Sequence, residues 1–181
     1  LVGTVLYMFL FYQIQLYSDL LEQVYFFVVS VWGWWLWLHP ATVQDATTEH
    51  QLKIGHNTFR QNMGYAGVVV IGTLILTYVM RHIHVWLPMY FIEPAAFPFL
   101  DAFTTVMSFM AQWLLAKKKI ENWVLWIAVD AIAIWLYWVK GVKFVSVEYV
   151  LFFFVASWGL VRWLKEYRTY PRENHDQDPQ S

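Results

Sequence analysis

Asp101, Thr105, Ser108 and Gln112 are spaced by four, three and four residues, and Asn122, Trp126, Asp130, Ala133 and Tyr137 by four, four, three and four. On a helix each set falls along one face. Carboxylate, hydroxyl and amide groups in such a row supply hydrogen-bond donors and acceptors, and the rings among them supply flat surfaces. The combination suits reversible holding of a planar polar or cationic ligand, since an indole face attracts a cation by about 2 kcal/mol in a dry site. The same rows also serve as glue between helices. Asp130, eight residues inside its helix, is open to both readings, as an acceptor for a ligand or as a partner for a neighbouring Trp or Tyr.

Bond-breaking chemistry has no such support. The chain contains no Ser-centred nucleophile motif, no H-E-x-x-H and no G-x-x-x-x-G-K-[ST] phosphate loop. It also has no cysteine, which excludes thiol catalysis, disulfides and Cys-ligated zinc. His82 and His84, expected in or near a loop, are too few to hold a metal by themselves. Neither an enzyme nor a cofactor is expected, and a formal net charge of −1 gives no reason to expect nucleic acid.

Tryptophan is concentrated instead. The chain has 12 in 181 residues, and residues 32–37 read WGWWLW. Trp32 and Trp35 are three apart, as are Trp123 and Trp126, so each pair is expected on one face. With Trp113 and Trp158 they are candidates for a stacking wall, and Gln23 is a candidate to face it. Trp37, Trp86, Trp138 and Trp163 lie near helix ends, where indole anchors a helix at the membrane interface.

The elements that must position these residues are membrane helices. The chain is 59% hydrophobic and only 14% charged, against about 25% charged in an ordinary soluble domain. Apolar runs near 1–17, 20–38, 64–80, 96–116, 122–139 and 147–164 approach the roughly 20 residues that a crossing needs. The expected fold is all-α, a polytopic helical protein embedded in the lipid bilayer.

Sliding the chain by 126 residues pairs Leu10, Glu22, Phe26, Phe27, Val29, Trp32, Gly33 and Trp37 with identical residues at 136, 148, 152, 153, 155, 158, 159 and 163. Chance gives about two such identities over this span, so a duplicated unit is inferred. Both copies carry W-G-x-x-x-W. The expected organisation is a first repeat at 1–38, a loop at 39–63, a linker helix at 64–80, an external loop at 81–95, a second repeat at 96–165 and a disordered tail at 166–181. The second repeat has three helices and the first shows two, so its first helix is expected upstream of Leu1. One odd linker helix makes the repeats parallel, in a three-one-three order. Nine Lys and Arg fall on one side and three on the other, which places the C-terminus in the cytoplasm.

The stretch AQWLLAKKKIENWVLWIAVDAIAIWLYWVKG (111–141), followed by W-G-x-x-x-W at 158–163, resembles the PnuC nicotinamide riboside transporters, and WGWWLW is similar to a helix of the same family. The resemblance implies seven helices with SWEET-like parallel repeats, a homotrimer in the inner membrane, and no coupling ion. It implies facilitated uptake of nicotinamide riboside, trapped by cytoplasmic phosphorylation. By position it assigns Gln112, Trp113, Asn122, Trp123, Trp126 and Asp130 to the substrate site, faced by Trp32, Trp35 and Gln23. Thiamine or riboflavin as cargo, and a non-transporting membrane scaffold, are the alternatives.

Overall fold

The computed structural model describes residues 2–13, 17–39, 52–89 and 97–170. The described residues form six helices, α1 (Val2–Gln13), α2 (Tyr17–Leu38), α3 (Phe59–Trp86), α4 (Pro98–Ala116), α5 (Glu121–Val139) and α6 (Lys143–Thr169), and no named strand. The expected tail lies mostly outside the described residues.

Four of the helices, α3 to α6, are long and apolar enough to cross a membrane. α2 has the length but draws much of its bulk from indole and phenol rings, which prefer the interface to the hydrocarbon. α3 exposes Val68, Val70, Ile71, Leu74 and Ile75, and α6 exposes Leu151, Phe154 and Val155. Apolar faces this large are the solvent-facing sides of a protein whose solvent is lipid. The chain is a multi-pass helical membrane protein.

α3 and α6 run past their expected limits, α6 as far as Thr169. α3 starts at Phe59 because Thr58 and Gln61 form a reciprocal capping box, which satisfies two donors at the helix start. It continues through RHIHVW, so His82 and His84 are helical rather than in a loop. The His82 Nδ1 lies 2.8 Å from the Tyr78 carbonyl, and its ring stacks on Trp86. No group of three metal-binding side chains occurs among the described residues.

Packing against α4 organises the bundle. Val69, Met107 and Val129 join α3, α4 and α5 in one apolar core. α2 and α4 meet along a seam. Tyr25 donates to the Phe109 carbonyl at 2.9 Å, Gln112 donates to Ser30 at 2.9 Å, and the Trp37 indole donates to the Ala116 carbonyl at 2.9 Å. Gly33 lies within the seam, where an added Cβ would sit 2.7 Å from the Ala116 Cβ. The matched Gly159 takes the Trp123 ring at the same distance. α5 and α6 are pinned by Ser146, whose hydroxyl donates to the Ile134 carbonyl at 2.8 Å.

The two turns that flank α5 close in the same way with different residues. After α5, Gly141 N–H reaches Trp138 and Val142 N–H reaches Tyr137; Gly141 has φ 79°. After α4, Lys118 N–H reaches Leu115 and Lys119 N–H reaches Leu114. Here a lysine, Lys118, holds the left-handed position with φ 51°. Glycine is the usual occupant, and a side chain there costs roughly 1–2 kcal/mol.

Gly33→Ala is expected to destabilise the protein by about 1–3 kcal/mol, the usual range for overpacking. Gly64, whose added Cβ would meet nothing within 4 Å, provides the control. Gly64→Ala should be neutral or gain about 0.5–1 kcal/mol from helix propensity. Thermal unfolding in detergent, read side by side, checks both.

Candidate functional site

The two polar rows do converge, over half of their length. Asp101, Thr105 and Ser108 of α4 and Ala133 and Tyr137 of α5 line a cavity of about 310 Å³, closed by Glu22 of α2, Met80 of α3 and Tyr149 of α6. Residues from five helices thus meet there. Lys140 bridges to Asp101 at 2.9 Å across its rim, which ties the start of α4 to the end of α5. Tyr137 and Tyr149 stack at 5.4 Å and form a flat wall. Ser108 is buried against this space, 7% exposed.

The remaining site candidates lie deeper or toward the other end. Gln112 is engaged with Ser30 in the α2–α4 seam. Trp113 stacks on Trp32 at 4.8 Å and 17°, and the Lys117 ammonium lies 4.5 Å over the Trp113 ring. These two indoles therefore cover each other's faces. Trp126 meets Phe26 at 6.3 Å, and Gln23 is half-buried. Asp130 is 3% exposed, between the two ends of α5. Asn122 is fully buried; its amide donates to the Lys119 carbonyl at 2.5 Å while its Oδ1 has no partner. Trp35 does not join the others: it is 55% exposed and stacks on His39 of its own end of α2. Trp158 is likewise exposed, beside Arg162.

Trp123 belongs to a second cavity of about 380 Å³ at the opposite end, lined also by Trp37, Trp163, Lys118, Arg162 and Ile54. Its indole N–H is buried without a partner. Trp163 sits edge-on to both Trp123, at 5.3 Å, and Trp37, at 6.4 Å.

Ile54 arrives on a segment that composition marks only as polar loop. Gly55 N–H donates to the Lys118 carbonyl and Ile120 N–H donates to the Gly55 carbonyl, at 3.1 and 3.0 Å. Asn57 N–H donates to Glu121 Oε1 at 2.6 Å, and Lys119 donates to the His56 carbonyl at 3.3 Å. The segment is thereby stitched along the α4–α5 turn, with Ile54 buried beneath it.

The arrangement offers two cavities at opposite ends of one pair of helices, with buried polar groups and rings between them. Comparison with known proteins gives this arrangement its context. The family model described as "Nicotinamide mononucleotide transporter" matches residues 1–165. The chain belongs to the nicotinamide mononucleotide transporter family. Among its relatives, "Nicotinamide riboside transporter PnuC" of Escherichia coli is 30% identical, over 93% of this chain and 75% of that protein. The Neisseria mucosa protein of the same name is 28% identical, over 91% and 62%. "Riboflavin/roseoflavin transporter RibM" of Streptomyces davaonensis is 20% identical, over 78% and 62%. No solved structure matches the chain. Members of the nicotinamide mononucleotide transporter family are transporters, not enzymes, in keeping with the lack of catalytic motifs.

Sequence reasoning passed over Glu22 and Tyr149 as cavity residues, Tyr25 and Ser30 as seam residues, and the Ile54 segment altogether. Glu22 carried a signal, since it recurs as Glu148 under the repeat.

Glu121→Ala would leave the buried Asn57 N–H without its acceptor, a loss of about 1.5–3 kcal/mol for a bond to a charged group. Exchange of the Asn57 amide with solvent should accelerate by tenfold or more, while amides in the middle of α4 keep their protection. Hydrogen exchange read by mass spectrometry checks the contrast.

Proposed function

We propose that the chain imports nicotinamide riboside by facilitated diffusion across the inner membrane, with the Lys- and Arg-rich end and the C-terminus in the cytoplasm and net uptake drawn by phosphorylation there. The observation that carries the reading is the 30% identity, over 93% of this chain, to a protein named as a nicotinamide riboside transporter. The cavities are in keeping with it. Nicotinamide riboside presents a cationic, flat pyridinium, a carboxamide and ribose hydroxyls. The 310 Å³ cavity has two carboxylates, Glu22 and Asp101, against one ammonium, Lys140, a balance that suits a cation and disfavours a phosphate. Its Tyr137–Tyr149 wall and the Ser108 hydroxyl suit ring and ribose in turn.

From that cavity the cargo would pass along the α4–α5 rows by Asp130 and Trp126 to Trp123 and Asn122, whose indole N–H and amide oxygen are both buried without partners. Gln112, Trp113, Trp32 and Gln23 line or support this passage from α4 and α2. Trp35 contributes only if α2 rotates. Parallel three-helix repeats, rocking about the central site, supply the alternation of access.

A second reading, riboflavin as cargo, rests on the RibM relative at 20% identity; an isoalloxazine ring would also stack on indole.

Calorimetric titration of the purified chain with nicotinamide riboside, thiamine and riboflavin decides between them. Binding is expected for nicotinamide riboside, and Trp126→Ala should weaken it by about 30-fold, the equivalent of about 2 kcal/mol from one desolvated cation–π contact. Unchanged affinity in Trp126→Ala would remove Trp126 from the path. Preferential binding of riboflavin would keep the passage and change the cargo.

A further inference from the structure

We propose that the cavity at the Lys- and Arg-rich end is a binding site for the phosphate of an anionic phospholipid, separate from the 310 Å³ cavity at the opposite end of the bundle. Four observations converge on it.

The first is charge. Lys118 and Arg162 both line the cavity, with Glu166 as the one carboxylate of the lining. The Arg162 guanidinium lies 5.5 Å over Trp158, and it forms no salt bridge among the described residues. A guanidinium with no carboxylate partner in the described structure keeps its planar donor fork for a phosphate.

The second is the cost of Lys118. The turn after α5 uses glycine at the left-handed position, and the matching position after α4 holds a lysine. A side chain kept where backbone geometry disfavours it has a use. The Lys118 ammonium lies 4.9 Å over the Trp37 ring, inside the cavity.

The third is where the cavity opens. Val155 and Trp158 belong to its lining and are 58% and 63% exposed; on the same side of α6, Leu151 is exposed as well. The mouth therefore faces acyl chains. A soluble phosphate ester would leave that apolar wall unused, whereas a phospholipid places its headgroup on the cations and its chains along α6.

The fourth is depth. Trp37, Trp158 and Trp163 mark the interfacial level of the membrane, and basic pockets between helices at that level take anionic headgroups. The lipid would rest against Ile54, and so against the segment stitched to the α4–α5 turn.

The full chain, in nanodiscs of phosphatidylcholine alone or with one-fifth phosphatidylglycerol, tests the proposal through the thermal midpoint. Phosphatidylglycerol should raise the midpoint by several degrees. Arg162→Gln and Lys118→Gly should each lose at least half of that rise. Lys118→Gly also relieves the backbone, and its midpoint in phosphatidylcholine alone separates loss of a ligand from loss of the fold. Lys143→Gln, which removes a cation lying over Trp138 at the other end, should keep the full rise. Equal midpoints in the two lipids, or a full rise in both Arg162→Gln and Lys118→Gly, would overturn the proposal. Inorganic phosphate or nicotinamide mononucleotide producing the same rise in phosphatidylcholine discs would also overturn it, by making the ligand a soluble phosphate. Nicotinamide riboside binding, measured on the same variants, is read separately, so that failure of the lipid proposal is told from failure of the transport reading.

Discussion

The contact between α2 and α4 sets the terms for the rest of the bundle. Inside a membrane, apolar side chains gain little by leaving lipid for protein, so helices associate through close backbone approach and hydrogen bonds. Gly33 provides the approach, against Ala116. Tyr25, Gln112 and Trp37 provide the hydrogen bonds, two of them to main-chain carbonyls. Once this seam is closed, α4 has α2 on one side and α3 and α5 on the others. The polar row of α4 is then divided: Gln112 is held in the seam, and Asp101, Thr105 and Ser108 are left facing a cavity. The seam therefore fixes which polar groups are structural and which are open to a cargo.

The contrast between the two ends is electrostatic as well as geometric. One cavity gathers carboxylates around tyrosine rings, and the other gathers Lys118 and Arg162 around indoles. A pyridinium meets a favourable field in the first and an unfavourable one near the second. Such a gradient cannot by itself drive accumulation, because a fixed field does no net work on a cargo that crosses and leaves. It does make the basic end the less favourable resting place for a cation.

Much of the fold was legible because hydrophobic run length and helical spacing are local properties. The rows Asp101 to Gln112 and Asn122 to Tyr137 lie on inward faces, as their spacing requires. Rotation of α2 was harder to read. WGWWLW is aromatic on every side, so periodicity cannot say which indole points inward, and Trp35 turned out to face outward while Trp32 packs on Trp113. The Thr58–Gln61 capping box, which lengthens α3, was present in the sequence but outside the apolar run. The Ile54 segment was hidden for a different reason. Its attachment uses main-chain groups of the α4–α5 turn, and side-chain composition carries no record of such partners. Roles in binding cargo depend on the tertiary meeting of five helices, which spacing on any one of them cannot express.

The main-chain pairing of Gly55 with the Lys118–Ile120 turn has a consequence for how this region can evolve. Surface connections usually tolerate insertions, because lengthening a flexible loop costs little closure entropy. Here Ile54 and Asn57 are both buried, on either side of the paired glycine, so a one-residue insertion or deletion between Ile54 and Thr58 would carry the Asn57 N–H away from Glu121 while Gly55 stays paired. Substitution is free at the outward positions of this segment, whereas its length is fixed, so relatives that keep the α4–α5 turn should differ here in letters and not in count.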